Sequence, residues 1–319
     1  MHKFLTGLFF ITLFSVSSAE QITIAVSVSP LSAPLIIADE QGYFSRQGLD
    51  IHLEKYIGGM RTAKALFAGK AHFATSSEAV VMFNSFERND FVVIGTFVES
   101  DNDVKILTTK KSGIQTVSDL AGHRIGTIVG TSAHFFIDHT LLMNGVDTQT
   151  VEIIKINPED TSKYLKSGEV DAVVSWEPFI FLGQTELGKS AVTVPHGNMY
   201  TETFNLLVMK KFAGKNPRLL EKILKALLQA SDFINNNKSK TQQIVARRFN
   251  KDLQVIQSTW DDFNFSLSLH QSLLTTLESQ GRWALKRDFV KGDKVPNYLN
   301  YLMLEPLENV QPSAVTVIR

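Results

Sequence analysis

Short apolar segments rich in β-branched residues alternate with helical segments from Gln21 to Val98, and then the alternation begins again. Gln21–Ser29 (QITIAVSVS) alternates as a strand does. A Ser-Pro-Leu-Ser turn follows, and residues 33–41 read as a helix with Ser32 as N-cap and Pro34 in its first turn. Gly42-Tyr43-Phe44 interrupts it. Strands are expected at Leu49–Tyr56, Ala71–Ala74 and residues 91–98, with helices at residues 61–68 and 79–87 between them. Such an order builds a mostly parallel sheet covered on both faces.

The second round runs through strands at Val104–Thr109, Arg124–Val129, residues 151–156 and Val170–Val174, with helices at residues 133–143 and 159–167. ALFAGKAHFATSSE (residues 65–78) and YLKSGEVDAVVSWE (residues 164–177) share a helix end, a glycine, a short strand and a polar loop. The chain therefore reads as two like-built α/β lobes. Phe204–Met209 is a strand that carries the chain back. Residues 218–236 form a long amphipathic helix, residues 239–249 and 252–262 are helical, and residues 266–285 are helical with a weak point at Gly281. The tail is expected to wrap the first lobe. These readings put residues 20–110 plus 207–319 in lobe one and residues 111–206 in lobe two, joined by a two-segment hinge.

Composition narrows the function classes. The 319 residues carry 32 Lys plus Arg against 32 Asp plus Glu, a balance that opposes an undivided basic surface for nucleic acid. With no cysteine, disulfides, thiolate metal sites, thiol nucleophiles and a lipid anchor on cysteine are excluded. His2 and Lys3 precede an apolar run, Phe4–Val16, and then Ser17-Ser18-Ala19, the pattern of a cleaved secretory signal over residues 1–19. The run is shorter than the roughly 20 residues of a membrane span. The mature chain is expected in the periplasm.

In open parallel sheets, ligands sit beyond the C-terminal ends of the strands. Lobe one places Ser29, Leu31 and Ser32 there, then Gly58, Gly59, Met60 and Arg61, then Ser76, Ser77 and Glu78, with Thr96 and Phe97 after the fourth strand. Lobe two offers Gly130, Thr131, Ser132 and His134, and Ser175, Trp176 and Glu177. Hydroxyls and small residues at helix starts favour an anion through free N–H groups and the helix dipole. Gly130-Thr131-Ser132 either cradles an oxyanion or caps its helix. Arg61 is a second anion contact or a solvated helix residue, and Trp176 roofs a ligand or sits in the core. Glu78 and Glu177 either hold an ammonium group or cap the helices that follow them. Catalytic constellations are unconvincing: His134 and Asp138 share a helix face, His134 and His139 do not, and HExxH, GxSxG and GxxxxGK[ST] are all missing. GTIVG at 126–130 lacks the dinucleotide spacing.

Five stretches together resemble the nitrate/sulfonate/taurine-type periplasmic substrate-binding proteins of ABC importers, a group that includes thiamin-precursor-binding relatives. They are APLIIADEQGYFSRQGLDI (33–51), GGMRTAKALFAGKAHFATSS (58–77), VSDLAGHRIGTIVGTSAHFF (117–136), LKSGEVDAVVSWEPF (165–179) and LLVMKKFAGKNP (206–217). The resemblance implies an α/β, type II periplasmic binding protein fold without a cofactor or metal. It places ligand contacts on the Ser29–Ser32 turn, Gly59–Arg61, Ser76–Glu78, Thr131–His134 and Trp176. It also implies a monomer that closes on a small polar solute and docks on an ABC permease with a cytoplasmic ATPase. Glu78 and Glu177 suit a zwitterion or neutral heterocycle better than a bare dianion if both face the site. Alternatives are a sensory module presenting its closed state to a membrane kinase or cyclase, and a secreted α/β enzyme.

Overall fold

A computed structural model describes residues 21–197 and 199–319. The expected signal segment lies outside the described residues. The first round comprises β1 (Ile22–Ser27), α1 (Ala33–Glu40), α2 (Tyr43–Arg46), β2 (Ile51–Tyr56), α3 (Gly59–Phe67), β3 (Phe73–Ser77), α4 (Glu78–Ser85) and β4 (Phe91–Ser100). The second comprises β5 (Val104–Thr109), β6 (Arg124–Thr127), α5 (Ser132–Met143), β7 (Glu152–Lys155), α6 (Thr161–Ser167), β8 (Ala172–Trp176), α7 (Phe179–Leu187) and β9 (Ala191–Val194). Then come β10 (Glu202–Met209), α8 (Lys210–Lys215), α9 (Pro217–Asn236), α10 (Lys238–Phe249), α11 (Leu253–Gln257), α12 (Gln271–Lys286) and α13 (Glu305–Val310).

Two five-stranded sheets result, ordered β2-β1-β3-β10-β4 and β7-β6-β8-β5-β9. Their topology is the same. In each, the strands that alternate with helices pair in parallel, and one strand from across the lobe boundary runs antiparallel. β10 lies between β3 and β4, and β5 lies between β8 and β9. The molecule thus has the α/β two-lobe fold. β3 and β8 are buried along their full lengths, because helices cover both faces.

Strand pairing moves the expected boundaries. A division at 110 leaves β5 with the first lobe, yet β5 pairs with β8 and β9 of the second sheet. A division at 206 cuts through β10. The chain crosses between Ser100 and Val104, and again between Val194 and Glu202. α7 and β9, unassigned from the sequence, fill the stretch before the return. Residues 266–269, expected to open a helix, instead run extended, with bridges from Glu99 to Asn264 and from Thr96 to Ser268, and α12 starts at Gln271.

The tail does pack on the first lobe. α9 buries Leu220, Ile223, Leu224, Leu227 and Ile234 on one face, the three-to-four spacing of an amphipathic helix. Gly281 does not break α12: a Cβ there would stand 2.7 Å from the Tyr298 hydroxyl, so glycine is what lets that ring pack. Among the described residues no helix is long and apolar enough to cross a membrane.

Candidate functional site between the lobes

Both sheets point their strand ends at a common cleft. After β1 come Ser29 and Leu31, and after β2 come Gly58, Gly59 and Met60. β3 ends at Ser77. From the other lobe come Thr131 and Ser132 at the start of α5, and Trp176 at the end of β8. The space between their atoms is ≈ 310 Å³. Gly58 has φ +76°, and a Cβ on it would lie 3.2 Å from Cζ2 of Trp176. A side chain there would be strained by the backbone and obstructed by the indole. Ser29 and Ser32 are buried with hydroxyls lacking a hydrogen-bond partner, so Ser32 does not cap α1 with its side chain.

The other expected site residues are used elsewhere. Arg61 does not line the cavity; its guanidinium reaches Glu159 of the second lobe at 2.6 Å, closing an ion pair over the gap. Ser76 turns its hydroxyl to the Gly59 carbonyl at 3.0 Å. Phe97 is fully buried against Phe204, which lines the cavity in its place. Gly130 borders a neighbouring groove with Met60, Phe83 and Phe289. His134 is buried among Phe83, Trp283 and Phe289, and burial pulls its imidazole down to about 4. It does not pair with Asp138 by hydrogen bond: that carboxylate accepts from Trp283 Nε1 at 2.7 Å and pairs with Arg287 at 2.8 Å. These bonds tie α5 of the second lobe to the tail on the first.

Glu78 and Glu177 are buried and do not line the cavity. Glu78 accepts from the Tyr200 hydroxyl, from Thr203 N at 2.8 Å and from Gln280 Nε2 at 2.8 Å. Burial nevertheless pushes its carboxyl above the usual range, and these donors only partly offset that. Glu177 accepts from Lys105 Nζ at 2.8 Å and from Phe181 N at 3.0 Å, so it caps α7. Lys105 also holds Asp262 of the tail at 2.8 Å.

Sequence reasoning missed Glu202 and Asp103. Glu202 opens β10 and lines the cavity, and Asp103 stands just before β5. Each is 3% exposed or less. Their carboxyls face one another, and the Ser132 hydroxyl lies against Glu202. The Glu177 backbone N–H also lies toward Asp103, but neither Asp103 oxygen nor Glu202 Oε2 is met by a protein donor at full hydrogen-bond geometry. Burial raises Asp103 to about 7, and burial with the neighbouring Asp103 and Glu78 raises Glu202 well above its ordinary value. The sequence carries no clear signal for them, since Glu202 stands at the first position of β10 and Asp103 in the polar Asp101-Asn102-Asp103 stretch before β5.

Comparison with known proteins agrees with this architecture. The family model described as NMT1/THI5 like matches residues 29–240. A putative aliphatic sulfonates-binding protein of Bacillus subtilis is 28% identical over 212 residues, 65% of this chain and 64% of that protein. The match thus spans somewhat less than two thirds of that relative. The periplasmic aliphatic sulphonate binding protein from Escherichia coli superposes with a TM-score of 0.76 at 18% identity, covering 89% of this chain and 97% of the other. A desulfurization enzyme superposes with a TM-score of 0.69 at 17% identity, covering 92% and 99%. At such identities these structures speak for the fold alone.

Proposed function

The chain belongs to the NMT1/THI5-like family, and on that premise we propose that it is an extracytoplasmic solute-binding protein that captures a small polar organic molecule between its lobes and delivers it to an ABC permease. The observation that carries this reading is the cavity itself. It is lined from both sheets, and at its wall the buried Ser29 hydroxyl has no protein partner and Glu202 Oε2 is met by no protein donor at full hydrogen-bond geometry. Buried polar groups gain by being satisfied, and these two stand where a bound molecule would reach them. The sulfonate-binding names of its relatives point the same way.

Capture needs no bond to be made or broken. A solute held first by one lobe gains contacts from Thr131, Ser132 and Trp176 as the other closes. Exclusion of water then strengthens each hydrogen bond, and a wrong solute leaves buried partners unpaired. Linkage requires that a true ligand stabilise the fold by about 2.7 kcal/mol at 100 times its dissociation constant. Thermal unfolding of the purified protein against sulfonates, betaines, pyrimidines and carboxylates checks this. A rise of several degrees with one class is expected, and a flat response of folded, ligand-free protein to all of them would end the capture reading.

A further inference from the structure

The two chain crossings each deliver a buried acid to one place. Asp103 ends the first crossing, and Glu202 begins the strand after the second. Between them they present three buried oxygens that no protein donor meets at full hydrogen-bond geometry, with only the Ser132 hydroxyl and the Glu177 backbone N–H nearby, and Glu202 forms part of the cavity wall. Groups facing Glu202 are Asp103, Glu78, Tyr200 and Ser132, and those facing Asp103 also include Glu177 and Lys105. Lys105 cannot satisfy the pair, because Glu177 and Asp262 already hold its ammonium. The Glu78 donors are likewise spent on Glu78.

Resting on the capture reading above, we infer that the hinge end of the cavity, Glu202 backed by Asp103, is a subsite for a cationic nitrogen group on the solute. A bare oxyanion is disfavoured there by the like charge of the two carboxyls. A metal ion is a poor candidate, since among the described residues no three His, Asp or Glu side chains are placed to hold one. A positively charged nitrogen, with N–H donors for these buried oxygens, suits both the charge and the acceptors. In its absence the pair is tolerated by sharing a proton, because two such carboxyls in contact cannot both ionise cheaply. Binding a cation therefore expels that proton to solvent. Affinity should tighten as pH rises from 5 to 7, by up to tenfold per unit for one proton.

Matched probes test this: 2-aminoethanesulfonate against ethanesulfonate, and benzamidine against benzoate, by calorimetry and thermal unfolding. At least one nitrogen-bearing probe is expected to bind tenfold or more tighter than its partner, to release a proton, and to lose that preference in Glu202→Gln. Should Glu202→Gln fail to fold, Asp103→Asn carries the test, with a flattened pH dependence expected and an unchanged slope counting against the pair. If ethanesulfonate or benzoate binds as well as its nitrogen counterpart, the cationic subsite is overturned while capture stands. If no probe of either pair binds, and the broader thermal panel is also flat, both fall.

Discussion

Glu78 and Glu177 occupy matching positions in the two lobes, each directly after a buried central strand that lies beside the sheet's one antiparallel strand. Both are almost fully buried, and both reach for that antiparallel strand. Glu78 takes hold of β10 through Thr203, and Glu177 takes hold of β5 through Lys105. They differ in what satisfies them. Glu78 is ringed by neutral donors, whereas Glu177 has an ammonium. The same topological task, fastening a strand that has crossed from the other lobe, is met once by an acceptor and once by an ion pair. The repeat constrains where a carboxylate must stand and leaves its chemistry free.

The sharpest way to break the comparison is to remove the acceptor. Glu78→Ala strands a hydroxyl, an amide N–H and a side-chain amide, and is expected to cost about 3–5 kcal/mol in urea unfolding. Glu78→Gln restores an acceptor and should cost about 1–2 kcal/mol. Equal losses would show that charge, not acceptance, holds β10. Next in size is Lys105→Met, which leaves Glu177 buried without its cation. About 3 kcal/mol is expected at pH 8. Burial already holds the Glu177 carboxyl above the usual range, so lowering the pH protonates it and the penalty should shrink toward pH 5. A penalty independent of pH would reassign Lys105 to packing. Smallest is Arg61→Ala at the half-exposed ion pair between lobes, worth less than about 0.5 kcal/mol of stability. Its effect should appear in shape instead, as a larger radius of gyration in X-ray scattering, and an unchanged profile would deny the pair any part in holding the lobes together.

Legibility followed periodicity. From β1 to β8 the strands and helices other than the short α2 stand out, because a clear period and a glycine or serine boundary mark most of them. The stretch 264–269 does not, since Phe265, Leu267 and Leu269 alternate inside a segment that also fits a helix, and the structure takes the two-residue period to bridge β4. β5 is legible as a strand but not as a member of the second sheet, because pairing across a crossing is a non-local fact that no window contains. Among the site residues, Ser29, Leu31, Gly59, Met60, Ser77, Thr131, Ser132 and Trp176 do line the cavity, since strand ends alone place them there. Arg61, Glu78, His134 and Glu177 stand out in the sequence by their chemistry alone, and their partners come from distant segments: Glu159, Tyr200, Trp283 and Lys105.

The contact of Trp176 with the turn at Gly58 has a practical corollary. The indole belongs to one sheet, and the backbone it lies on belongs to the other. Any swing of the halves apart must wet that ring, and with it Trp283 where the tail meets α5, and redden their emission, while Trp260, buried beside Phe265 in the tail, stays dry. The molecule carries its own optical gauge of opening, with an internal standard, and no dye need be attached to read it.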